Sequence, residues 1–229
     1  AVNKELEIKV DFAYGSSANQ IQMLHGDVLH QQNYTGTGKI IAVMDAGFPG
    51  VNTAQSFQRL RDNNQILGGY DFVNRNSNFY SGDSHGTKVL SCMGGYKDNA
   101  LVGTAPDASF YLFRTEDDAT ENPVEESYWV EAAEKADSLG VDIINSSLGY
   151  TQFDDASMNY TYSQMDGKST IVSKAAQIAI DKGILVVNSA GNSGDKSWHY
   201  ISAPSDVEDV MTIGAIHSDG NIASFSSRG

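Results

Sequence analysis

Short apolar runs alternate with helical stretches along this chain, and glycine marks the joints between them. Pro123 to Leu139 places Trp129, Ala132, Ala133, Ala136 and Leu139 on one helical face. Gly140 stands where a glycine closes a helix, and Val141-Asp142-Ile143-Ile144 follows at once as a strand. The unit recurs: Thr170 to Lys182 reads as a helix, Gly183 closes it, and Ile184 to Asn188 reads as a strand. Lys39 to Met44, Ser109 to Arg114 and Val210 to Ile216 are further strand candidates. Runs that are apolar on consecutive residues suit strands buried on both faces. Strands joined through helices imply right-handed crossovers and a parallel sheet covered on both sides. Such sheets bind ligands beyond the carboxyl ends of their strands. The residues just after each strand therefore carry the functional question.

Composition narrows the classes. The 229 residues suffice for one domain with a real core, and no internal repeat divides them. With 29 acids against 15 bases, the formal charge of −14 argues against nucleic acid or an anionic membrane as partner. No apolar run approaches the roughly 18–20 residues of a membrane span. The single cysteine, Cys92, excludes an internal disulfide framework and a cysteine-based zinc site. Ala1-Val2-Asn3-Lys4-Glu5 does not read as a secretory leader. The expectation is a cytoplasmic chain, or an exported one whose signal has been removed.

Four short motifs sit at strand ends or a helix start. Asp45-Ala46-Gly47 follows the first strand, and His85-Gly86-Thr87 opens a helix running through Val89, Leu90, Cys92 and Met93. Asn145-Ser146-Ser147-Leu148-Gly149 follows Ile144, and Asn188-Ser189-Ala190-Gly191-Asn192 follows Val187. Singly, an aspartate after a strand is a turn or cap, a histidine at a helix start is a cap, and an asparagine near glycine is a turn. In this order they resemble the subtilisin-like serine proteases, the subtilases. Val43-Met44-Asp45-Ala46-Gly47 resembles that family's aspartate motif, and Ser84-His85-Gly86-Thr87 its histidine motif. Gly103 to Ala108 is similar to its Gly-x-Ala-Pro-x-Ala. Ser147-Leu148-Gly149 is similar to its substrate-binding strand, and Ser189-Ala190-Gly191-Asn192 to its oxyanion-hole motif. Ala223 to Gly229 resembles the segment that precedes its nucleophile motif.

The resemblance covers about residue 35 onward. It implies an α/β fold, a three-layer sandwich with a mostly parallel sheet between helices, incomplete at its C-terminal side. Residues 1–34 would be an N-terminal extension packed on the domain, and 35–229 the peptidase domain. The implied activity is serine endopeptidase, acting through an acyl-enzyme. Asp45 and His85 would be triad members and Asn192 the oxyanion donor. Ser147, Leu148 and Gly149 would pair with an extended substrate, and Ser189, Ala190 and Gly191 would line the pocket for the residue before the scissile bond. Small residues there suggest an open pocket for a medium or large apolar side chain. No cofactor is implied for the chemistry. The partners implied are protein or peptide substrates, and the compartment is extracellular or the cell envelope.

Three departures qualify the match. Ala46 stands where the family has Ser or Thr, removing a hydroxyl near the aspartate. Lys88 stands where a second histidine is common. The Gly-Thr-Ser nucleophile motif is absent, so the serine is expected beyond Gly229, on a companion segment. Two alternatives stay open: an inactive subtilase-like protein that binds peptides or a partner, and an unrelated sheet enzyme whose motif order is coincidental.

Other features carry two readings each. Glu116 to Glu126 is rich in acids. It reads as a solvated loop with acids at a helix N-terminus, or as a subsite wall favouring basic residues upstream of the cleavage point. Thr151 to Gly167 reads as an ordered surface loop, or as oxygen ligands for a structural calcium ion. Cys92 reads as a small buried apolar residue. His25, His30, His199 and His217 have no metal-ligand spacing. Trp129 is expected in the core, Trp198 near the cleft, and Gln20 to His25 as a short surface helix.

Overall fold

The computed structural model describes residues 11–229. The opening Ala1 to Glu5 lies outside the described residues. Six parallel strands form the central sheet: β1 (Ile40–Asp45), β2 (Ile66–Asp71), β5 (Ser109–Arg114), β6 (Ile143–Ser146), β7 (Leu185–Ser189) and β8 (Met211–Ile213). Their order is β2-β5-β1-β6-β7-β8. A two-residue hairpin, β3 (Tyr96–Lys97) with β4 (Leu101–Val102), stands apart.

Alternate residues of each strand point to opposite faces, and each face has its own core. Ala42, Met44, Phe113, Ile144 and Val186 pack under α5 (Val124–Ser138) and α6 (Ile171–Asp181). Ile41, Val43, Phe110 and Leu112 pack on the other face with α4 (His85–Gly94), through Leu90. Trp129 is fully buried and its indole N–H donates to Ser146 Oγ at 3.1 Å, so the expected core position holds. Thr170 caps α6 by accepting from Ser173 N at 3.1 Å.

Several boundaries differ from the sequence reading. The helix expected over Gln20 to His25 is two helices, α1 (Ala18–Gln22) and α2 (Gly26–Gln31), because His25 takes a left-handed conformation at φ 55°. The last strand stops at Ile213, before Gly214. Strand β2 and the short α3 (Gln58–Asp62) were not expected. Gly68 and Gly69 break the apolar run of β2, and a register shift lies between Ile66 and Gly68. Cys92 is exposed rather than buried. The inward face of α4 is Gly86, Leu90 and Gly94, and two residues past Leu90 the helix has turned outward.

The segment ahead of β1 is tied to the β4 region. Ser17 Oγ donates to Val102 O at 3.0 Å, and His30 bonds Thr104 O at 2.9 Å through Nε2. His30 Nδ1 lies 2.8 Å from the Tyr14 hydroxyl, so the ring is an internal strut.

Candidate active site

The carboxyl ends of β1, β6 and β7 lie side by side, and α4 begins above β1. Asp45 is the last residue of β1 and its side chain is fully buried. His85 is the first residue of α4, with its side chain 51 % exposed. His85 Nδ1 lies 2.7 Å from Asp45 Oδ1. A buried carboxylate accepts there, so Nδ1 carries the hydrogen and Nε2 keeps its lone pair toward the opening. The bond to Asp45 raises the His85 pKa above the ordinary imidazole value, and partial burial only partly opposes it.

Local bonds hold both groups. Ala46 N donates to Asp45 Oδ1 at 2.8 Å. Asp45 Oδ2 is buried without a hydrogen-bond partner among the described residues. The Asp83 carboxylate accepts from His85 N at 2.7 Å, anchoring the first turn of α4. Gly86 lets that turn approach: a Cβ there would lie 2.5 Å from Gly47 O and 2.8 Å from Asp45 Cβ.

The other motif residues flank this pair. Ser147, Leu148 and Gly149 leave the end of β6, while Ser189, Ala190 and Gly191 end or follow β7. In the ladder Ser146 pairs with Asn188, so the two segments diverge from adjacent positions. Asn188, not singled out from sequence, staples them. Its Nδ2 donates to Leu148 O at 3.0 Å and to Ser205 Oγ at 2.8 Å, and Ser205 Oγ donates to Ser189 O at 2.7 Å. Asn192 follows Gly191, whose φ is 103°, and is exposed.

Ser202 lies close to both segments. A Cβ on Gly149 would lie 2.0 Å from Ser202 Oγ, and one on Gly191 would lie 3.3 Å from the same atom. One hydroxyl from outside both motifs thus lies beside both glycines.

The acidic segment is less solvated than expected. Glu125 and Glu126 are 2 % and 1 % exposed. Glu125 accepts from Asp117 N at 2.9 Å and Asn122 N at 3.0 Å. Glu126 accepts from Tyr160 Oη at 2.6 Å and Val172 N at 3.2 Å. Burial pushes both carboxyls above the usual range, although these bonds oppose it. Glu116 accepts from the Tyr150 hydroxyl, and burial together with neighbouring Glu125 raises its pKa well above the ordinary value. The acids at the start of α5 are internal staples; Asp118 and Glu121 are the exposed ones.

In residues 151–167 Asp155 and Asp166 are engaged by neighbouring backbone. Asp155 accepts from Ser157 N at 2.9 Å, and Asp166 from Lys168 N at 2.8 Å and Ser169 N at 2.7 Å. Those two carboxylates cap their own turns, while Asp154 accepts from Glu121 N at 3.2 Å. Among the described residues no group of three His, Cys, Asp or Glu side chains is placed to hold a metal. Trp198 is half-buried and donates to Ile201 O at 3.0 Å.

The subtilase family model, Peptidase_S8, matches residues 36–229. The chain belongs to the subtilase family. This subtilase is 29 % identical to subtilisin DY of Bacillus licheniformis over 211 residues, 91 % of this chain and 68 % of that protein. It is 31 % identical to subtilisin E of Bacillus subtilis (strain 168) over 212 residues, 91 % of this chain and 49 % of that protein. The crystal structure of MycP1 without its N-terminal propeptide superposes with a TM-score of 0.69 at 24 % identity, covering 93 % of this chain and 66 % of that one. That likeness establishes the subtilase fold. The chain thus spans about half to two thirds of the length of these relatives.

Proposed function

We propose that this chain is the larger, N-terminal part of a serine endopeptidase catalytic domain. The observation that carries the reading is the Asp45–His85 bond of 2.7 Å, formed through Nδ1 by residues 40 positions apart, which leaves Nε2 as the second ring nitrogen. A serine hydroxyl is a poor nucleophile near neutral pH and needs such a base. His85 Nε2 accepts the hydroxyl proton as the serine oxygen attacks the peptide carbonyl. Asp45 holds the ring's tautomer and stabilises the imidazolium. Asn192 donates its side-chain amide to the developing oxyanion. His85 then returns the proton to the departing amine, and water repeats the sequence on the acyl-enzyme.

The substrate lies extended along Ser147, Leu148 and Gly149. The Leu148 carbonyl is engaged by Asn188, so the alternating groups of Ser147 and Gly149 face the other way, toward a peptide. Ser202 restricts the slot lined by Ser189, Ala190 and Gly191 to a small side chain before the scissile bond.

The nucleophilic serine belongs to a segment beyond Gly229. An uncovered apolar strip supports this. Leu185, Met211 and Ile213 are 45 %, 53 % and 49 % exposed on one side of β7 and β8. Beside them an open depression of about 300 Å³ is lined by Asn145, Ser147, Val187, Ser189, Ile213 and Gly214. Asn145 Nδ2 is buried there without a partner among the described residues. A large exposed apolar strip beside an unpaired buried donor calls for a covering element. Family membership supports export to the envelope or the medium.

Reading the gene past Gly229 and assaying the full-length product on a protein substrate tests the proposal. A Gly-Thr-Ser followed by an apolar helix, with proteolysis abolished by Ser→Ala, is expected. A stop codon or a different residue at that serine contradicts it.

A further inference from the structure

Arg114 is the last residue of β5, and in the ladder it pairs with Asp45 of β1 on one side and Asp71 of β2 on the other. Three strand-final residues, Asp71, Arg114 and Asp45, thus stand abreast on the face that α4 covers. The Arg114 and Asp71 side chains are 7 % and 0 % exposed. Arg114 Nη1 donates to Asp71 Oδ2 at 3.1 Å, and its Nε donates to Ala46 O at 3.1 Å. Its Nη2 lies 3.7 Å from Asp117 Oδ1.

Ala46 is therefore held at both of its polar groups. Its N–H donates to Asp45 Oδ1, and its carbonyl accepts from Arg114 and, at 3.1 Å, from Asp83 N. Asp83 in turn anchors the His85 amide. The loop before His85 is tied down a second time, because Ser81 Oγ donates to Asp71 Oδ2 at 3.1 Å and Ser81 O accepts from Phe48 N at 3.1 Å. Gly82 sits in the middle at φ 80°, and a Cβ there would lie 2.2 Å from Ala46 O and 2.6 Å from Arg114 Nε. Burial alone would raise the Asp71 pKa, but the bonds from Asn74 and Arg114 outweigh it and hold the carboxyl below the ordinary range. The pair is ionic.

We propose that Arg114, fixed by Asp71, is a positioning residue for the Asp45–His85 pair. It touches neither ring nor carboxylate of the pair. It locks the loop after Asp45 to the loop before His85, and so fixes their separation. The planar guanidinium is suited to this, because its fork reaches the Asp71 carboxylate and the Ala46 carbonyl at fixed angles, which an ammonium cannot do. The inference rests on the protease reading for its kinetic consequence, but not for its geometry.

The test uses the full-length enzyme carrying Arg114→Lys, Asp71→Asn or Gly82→Ala. Steady-state kinetics on a peptide series is combined with NMR titration of the His85 imidazole, which faces Asp45, Asp83 and Lys88. Each variant is expected to lower kcat at least tenfold with KM within twofold. The His85 midpoint is expected to move down toward the ordinary imidazole value, and Arg114→Lys with Asp71→Asn to be no worse than either alone. If Arg114→Lys does not fold, Gly82→Ala decides. An unchanged kcat and His85 midpoint per folded molecule, with only Tm lowered, overturns the proposal. If the full-length enzyme cleaves nothing, the protease reading fails, while the His85 titration still decides whether Arg114 positions the pair.

Discussion

Asp45 and His85 meet at 2.7 Å with opposite exposures, the carboxylate fully buried and the ring half open to solvent. The buried anion favours the protonated ring and raises the His85 pKa. Catalysis needs the neutral ring, so the acid limb of kcat/KM is expected above pH ~6.5, the ordinary imidazole value. Because the folded value is raised, the bond stabilises the fold fully below the unfolded pKa. That contribution is lost as pH rises through the folded one. Asp45→Asn should lower the His85 midpoint, flatten that dependence and cost about 10⁴ in kcat. NMR titration, urea melts across pH and pH–rate profiles check the three.

On the proposed oxyanion role, in which the amide acts on charge that develops only in the transition state, Asn192→Ala should cost about 10²–10³ in kcat with KM little changed. The magnitude is that known for the equivalent asparagine of subtilisin, carried over here. A parallel rise in KM would place Asn192 in ground-state binding instead.

Ser202 Oγ lies beside both Gly149 and Gly191. Ser202→Gly should therefore raise kcat/KM for leucine or phenylalanine before the scissile bond, relative to alanine, by about tenfold or more. A peptide library on the full-length enzyme reads this directly. A parent enzyme that already prefers phenylalanine would refute the narrow slot.

Gly86→Ala should destabilise by about 1–3 kcal/mol, since its Cβ has no room beside Gly47 O and Asp45. Activity per folded molecule should fall as well, because the clash drives α4 away from β1. Denaturant melts and active-site titration separate the two effects.

Much of this was legible in the sequence for one physical reason: a parallel sheet needs doubly buried strands. Ile41 to Met44 and Ser109 to Arg114 announce themselves by consecutive apolar residues, and the motif residues simply come next. Strand β2 was invisible because it lies at the sheet edge and carries Gly68 and Gly69. Asp45 and His85 stand out in the sequence through the order of their motifs, and the fold brings the two together. Asn188, Ser202, Arg114 and Asp71 do not stand out as site residues in the sequence, since each makes a contact across 40 or more residues that no local pattern encodes. Glu125 and Glu126 misled in the opposite sense. A run of acids reads as solvated, yet backbone donors and Tyr160 draw these two inside.

The most direct test of the account is labelling of the full-length protein with a fluorophosphonate, followed by mass spectrometry of the modified peptide. The account predicts a single adduct on a serine beyond Gly229, lost when His85 is replaced by alanine and strongly slowed by Asp45→Asn. An adduct on a serine within residues 1–229, or labelling indifferent to His85, would contradict it.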